Sequence, residues 1–134
     1  MADFCLKSTN PSSSLRFSNL DGDYFDCEVR TPTLTAKMNV YAYNPTHYGQ
    51  ISDFFELLAS FETPWGDEKK WESLEGELEI LATCNDLGHV TLKILMSNQQ
   101  ETDHWSVNTV VPFGLGSMPA FAKKANLFFS TYEG

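Results

Sequence analysis

From Tyr24 to Ala42 the chain alternates apolar and polar residues, interrupted once by Thr31-Pro32-Thr33. Successive side chains of a strand point to opposite sides of the pleat, so a period of two marks a strand with one buried face. Phe25, Cys27 and Val29 share one face, against Tyr24, Asp26, Glu28 and Arg30 on the other. Leu34, Ala36, Met38, Val40 and Ala42 then alternate with Thr35, Lys37, Asn39, Tyr41 and Tyr43. With Thr31-Pro32-Thr33 as the turn, the two runs predict a hairpin.

The remaining segments extend this pattern. Short apolar stretches at Phe4 to Leu6 and from Leu15 flank the turn-forming Asn10 to Ser14 and predict two strands. Past Asn44-Pro45 the period becomes helical, with Ile51, Phe54, Phe55, Leu58 and Phe61 on one face. That helix must end before Thr63-Pro64-Trp65-Gly66, because proline disfavours helical geometry in the preceding residue. Asp67 to Lys70 reads as a solvated charged turn. A strand starting at Trp71 sets Leu74, Leu78 and Ile80 against Glu75, Glu77 and Glu79, and ends at the turn Asn85-Asp86-Leu87-Gly88. Val90, Leu92, Ile94 and Met96 share a face of the next strand, Ser97 to Asp103 reads as a polar loop, and Trp105 to Phe113 as another strand. Gly114 and Gly116 break the chain before a second amphipathic helix, with Ser117 as its N-cap and Pro119 in its first turn. Met118, Phe121, Ala122, Ala125, Phe128 and Phe129 form its apolar face.

Strands then a helix, twice over, predict an α+β fold. The expected form is a mostly antiparallel sheet of about six strands with two amphipathic helices, in two β-β-β-α halves. Asp21-Gly22-Asp23 and Leu87-Gly88-His89 hint at a duplication, but aligning their glycines slips the inward phases of the following strands by one residue.

At 134 residues the chain suits a single domain, 1–134, and its 42% hydrophobic content, including 10 phenylalanines, is enough to build one core. No segment approaches the ~20 apolar residues that span a bilayer. Met1 to Lys7 lacks the basic and apolar regions of a secretory signal, so a cytoplasmic location is expected. Cys5, Cys27 and Cys84 are odd in number and widely spaced, which predicts free thiols. Eighteen acids against nine bases leave a net charge of −9. That charge repels nucleic-acid backbones and favours a basic protein partner.

Several constellations invite a chemical reading. On one strand face, Glu75, Glu77 and Glu79 would form a carboxylate ladder at intervals of about 6.7 Å, yet nothing singles out an acid and a nucleophile among them. Asp21, Asp23 and Asp26 lack the spacing of a calcium loop, and an Asp-Gly hairpin turn accounts for them better. His47, His89 and His104 are too dispersed for a local metal motif. Cys84 with Asp86 and His89 reads more simply as a turn than as a nucleophile with its base. Ser117 is no nucleophile elbow, since Pro119 stands where the second glycine belongs. Phosphate-cradling glycine motifs are absent from the sequence. The expectation is therefore a protein without cofactor, metal or catalytic activity, binding its partner through Glu75, Glu77, Glu79, Tyr41 and Tyr43. Tyrosine is over-represented in binding hot spots.

The run Trp71-Glu72-Ser73-Leu74-Glu75-Gly76-Glu77-Leu78-Glu79-Ile80, with Ala82-Thr83, Gly88-His89-Val90-Thr91-Leu92 and Trp105, resembles an uncharacterised family of small bacterial domains of unknown function. In layout and size the chain is similar to immunity proteins that neutralise polymorphic contact-dependent toxins. The resemblance implies an acidic inhibitor that masks a basic toxin or nuclease by occlusion. Two alternatives stand beside it: a small-ligand-binding domain or enzyme with a cleft between sheet and helix, and a phage-encoded inhibitor or nucleic-acid mimic.

Overall fold

The computed structural model describes residues 3–130 and 132. β1 (Phe4–Lys7), β2 (Ser14–Asp21), β3 (Tyr24–Thr31) and β4 (Leu34–Tyr41) form an antiparallel sheet in sequential order, and α1 (Ile51–Ala59) follows. β5 (Lys69–Glu72), β6 (Leu78–Cys84), β7 (His89–Gln100) and β8 (Asp103–Gly114) repeat that order in a second sheet, followed by a short 3-10 turn (Leu115–Ser117) and α2 (Met118–Phe128). The class is α+β, as expected. The strands number eight rather than about six, in two sheets rather than one, and each half is β-β-β-β-α rather than β-β-β-α.

Two segments account for the miscount. Asp67 to Lys70 is not a solvated turn throughout, because Lys69 and Lys70 enter β5 opposite Ala82 and Leu81. Their charges are met locally: Lys69 pairs with Asp67 at 2.9 Å and lies 5.3 Å from the Phe61 ring, while Lys70 sits 3.2 Å from both Glu72 and Glu79. Lysine on an edge strand also discourages pairing with another chain. Ser97 to Asp103 is likewise not a loop. β7 and β8 stay in register out to Gln100 opposite Asp103, so polar residues continue a hairpin whose ladder uses only backbone groups.

Phe17 is central to the core, its ring 4.9 Å from Phe4, 5.8 Å from Phe25 and 6.1 Å from Phe55 of α1. Phe4 meets Phe128 of α2 at 5.2 Å and Phe113 of β8 meets Phe121 of α2 at 5.1 Å, so α2 bridges both sheets. Each helix packs against the first strand of the other half, α1 on β5 and α2 on β1. α1 stops at Ala59, leaving Phe61 outside the helix but with its ring tilted against Trp65 at 5.1 Å. Ser117 occupies the N-cap position of α2 without a capping bond from its hydroxyl, because the 3-10 turn runs straight into the helix.

The halves also interlock at their ends. The Thr9 N–H donates to the Pro112 carbonyl of β8 at 3.1 Å, and Leu34 to Lys37 of β4 line a cleft with Trp105 and Val107 of β8. Past β4, the Asn44 amide donates to the Glu72 carbonyl at 2.8 Å.

On the outer face of the first sheet, β2 bulges between Ser18 and Asp21, with Asn19 at φ 54°. The Asn19 amide donates to Asp26 at 2.9 Å, the Asn39 amide donates at 3.1 Å, and the Lys37 ammonium lies 3.7 Å away. Partial burial alone would raise the Asp26 carboxyl; these donors outweigh it and hold the group below its ordinary value of 3.8. A depressed folded-state pKa adds stability above the unfolded value, and that contribution disappears as pH falls through the folded one. Asp26→Asn should therefore be less stable than the parent at pH 7, and the gap should close towards pH 2.5 in urea unfolding. A gap independent of pH would show that the ionised carboxylate contributes nothing.

Candidate partner-binding surface

Three chain segments converge at one end of β4. The β2–β3 hairpin turns at Gly22, φ 60°, a conformation glycine adopts without a Cβ clash, and brings Asp23 and Tyr24 alongside. Tyr24 lies opposite Tyr41 in register, with ring centroids 5.3 Å apart. The Ala42 N–H donates to the Asp23 carbonyl at 2.6 Å and prolongs the alternation, so Tyr43 follows Tyr41 onto the same side at 6.1 Å. Both spacings fall in the ~4.5–7 Å range of interacting aromatic pairs.

The third segment is the β5–β6 turn, Ser73 to Glu77. The Ser73 N–H donates to the Leu78 carbonyl at 2.9 Å, and Gly76 turns the chain at φ 77°. Glu75 is therefore not a strand residue, and the expected ladder of Glu75, Glu77 and Glu79 does not exist. The sequence alternation across Leu74 and Leu78 spans a turn, which ends the period of two. The three acids have separate roles. Glu79, in β6, faces Glu72 across the ladder and is neutralised by Lys70 at 3.2 Å. Glu77 accepts the Ser73 hydroxyl and, at 3.4 Å, the Tyr41 N–H. Glu75 is exposed beside the tyrosines.

Four of the five expected residues, Tyr41, Tyr43, Glu75 and Glu77, thus come together, and Glu79 does not. Burial raises the Tyr41 phenol, and the negative charges of Asp23 and Glu75 raise it further. Burial and the neighbouring Asp23 likewise push the Tyr132 phenol up to about 12. The patch is a negative field lined by aromatic faces, which suits an ammonium or guanidinium group through cation–π contact and charge-assisted hydrogen bonds. Tyr24 and Asp23 belong to it but were not among the expected site residues. The alternation of β3 already put Tyr24 on the polar face; only the β3–β4 register pairs it with Tyr41.

The sequence matches the model of a family of unknown function (DUF6228) over residues 6–132. The chain belongs to that family. The match runs through both halves of this DUF6228 member, whereas the resemblance read from the sequence rested mainly on the second. No curated protein matches the chain.

Of the other constellations of this DUF6228 chain, the aspartates contribute Asp23 to the patch, while Asp26 accepts from the Asn19 and Asn39 amides. The His47 ring lies tilted against Tyr48 at 4.1 Å, and the His104 Nε2 is 3.0 Å from the Gln99 amide oxygen. Burial raises the Cys84 thiol, the opposite of what activates a nucleophile, and its Sγ lies 3.6 Å from the Asn85 carbonyl oxygen. Cys27 is buried and its thiol is pushed higher still. Among the described residues, no three His, Cys, Asp or Glu side chains are grouped to hold a metal ion, and no helix is long and apolar enough to cross a membrane.

Proposed function

We propose that this protein is a cytoplasmic inhibitor of the immunity type, which binds a basic protein such as a bacterial toxin or nuclease and blocks it by occlusion, without turnover. The supporting observation is the convergence of Tyr24, Tyr41 and Tyr43 with Asp23 and Glu75 at one end of β4. Carboxylates on such a surface would steer a basic partner into encounter and make association depend on salt. The rings would supply the lasting affinity, since tyrosines are common among the few residues that dominate an interface.

Glu75 and Tyr24 are the residues to substitute, because both are exposed, Tyr24 by 45%, whereas Glu77 and Glu79 have partners within the fold. The test is capture from lysate at low and moderate salt with the parent, Glu75→Lys and Tyr24→Ala, followed by kinetics on the purified partner. Glu75→Lys should slow association most at low salt, and Tyr24→Ala should cost about 1–3 kcal/mol, mainly through faster dissociation. A partner bound equally well by all three proteins would move the interface elsewhere.

A further inference from the structure

The chain carries a net charge of −9, yet four of its nine bases, Lys7, Arg16, Arg30 and Lys37, stand one on each strand of the first sheet. Their alternation with the buried Leu6, Leu15, Val29 and Ala36 puts them on the outer face. Arg16 is taken by Asp3 at 3.0 Å and Lys37 by Asp26 at 3.7 Å. Lys7 has no ion pair among the described residues, and Arg30 meets Glu28 at 3.6 Å through one of its terminal nitrogens.

Lys7 and Arg30 share a feature that the other two lack. In register, Lys7 lies opposite Ser14 and Ser14 lies opposite Arg30. Two strand spacings of ~4.8 Å put the two cations about 10 Å apart at the backbone, with a small side chain between them. The β1–β2 turn rises beside that gap and closes one wall. Its base is anchored at Pro112, where the Thr9 N–H donates at 3.1 Å and the Ser8 hydroxyl also donates. The result is a cleft of about 490 Å³ lined by Lys7, Arg30, Cys5, Pro11 and four serines, 8 and 12–14, with Asp3 and Glu28 confined to the adjoining cleft that shares Ser14 and Arg30. Its volume is in the range of small-molecule sites.

We infer that this cleft binds the phosphate group of a small molecule, held between Lys7 and Arg30 over Ser14. A guanidinium presents a fork of donors that can bridge two phosphate oxygens while retaining Glu28, and an ammonium supplies a second point charge. The hydroxyls of Ser12, Ser13 and Ser14 donate to the remaining oxygens, while the Ser8 hydroxyl stays on the Pro112 carbonyl. The cleft is independent of the tyrosine patch, which lies at the opposite end of the same strands.

The test is a titration of isotope-labelled protein with inorganic phosphate and with phenyl phosphate, against sodium chloride at matched ionic strength and pH. Saturable amide shifts at residues 7–10, 12–14 and 30 with both phosphates, but not with chloride, are expected. Lys7→Gln with Arg30→Gln should weaken phenyl phosphate binding at least tenfold while leaving the urea midpoint in chloride unchanged. Ser14→Leu keeps both charges but fills the gap, and should weaken binding comparably; this separates a built site from diffuse attraction. Shifts that grow equally with chloride, or an affinity that survives either variant, would overturn the inference.

Discussion

Trp71→Ala is expected to cost about 3–5 kcal/mol, the range for deleting a large buried aromatic, and to lower the thermal midpoint by roughly 10–20 °C for a domain of this size. The residue is 1% exposed and lies opposite Ile80 in the β5–β6 ladder. Its indole N–H donates to the Gly49 carbonyl at 2.9 Å, which ties the second sheet to the segment leading into α1. Removing the side chain opens a cavity and strands that carbonyl. Trp71→Phe keeps most of the ring volume but cannot donate, and should lose less, about 1–2 kcal/mol. Urea unfolding of both variants separates the packing contribution from the hydrogen bond. A loss below 1 kcal/mol for Trp71→Ala would mean that β5 is not held as described.

The second large effect is at Phe17, which is fully buried and touches aromatic rings on β1, β3 and α1. Phe17→Ala should also cost about 3–5 kcal/mol. Its dependence on Phe55 provides a sharper check. The two rings meet edge-on at 6.1 Å, 85° between planes, across the sheet–helix interface. A double-mutant cycle of Phe17→Leu with Phe55→Leu should show coupling of about 0.5–1.5 kcal/mol. Additive losses would mean that α1 packs on the sheet without specific contact at this point.

The two residues were not equally legible in the sequence. The first-half strands, both helices and the apolar positions of β6 and β7 could be read from periodicity, because burial on one face imposes a period of two or 3.6 on the residues themselves. Phe17 was on a strand whose start at Leu15 was recognised, but nothing local predicts that it becomes the meeting point of four elements. Trp71 was taken as the beginning of one long strand. The structure ends that strand at Glu72, because Gly76 at φ 77° lets the chain turn back within five residues. Leu74, 40% exposed in that turn, continues the alternation only by coincidence.

The site divides in the same way. Tyr41 and Tyr43 could be assigned to the polar side of β4 from alternation alone, and the residue types marked them for binding. Their acidic neighbours could not be assigned, since three glutamates at alternate positions look alike in a sequence. Glu79 found Lys70, Glu77 found Ser73 and the Tyr41 backbone, and Glu75 was left exposed beside the rings.

By itself the sequence determined the α+β class, the position of most strands and both helices, the excess of negative charge and the three free thiols. These follow from local stereochemistry and composition, which every short window carries in full. Only the tertiary structure decided that there are two sheets, that the β5–β6 turn lies against the end of β4, and that Lys7 and Arg30 flank Ser14. Each of those depends on strand register and on how one half packs against the other. Most such contacts join residues more than ten positions apart, and neither period nor propensity encodes them.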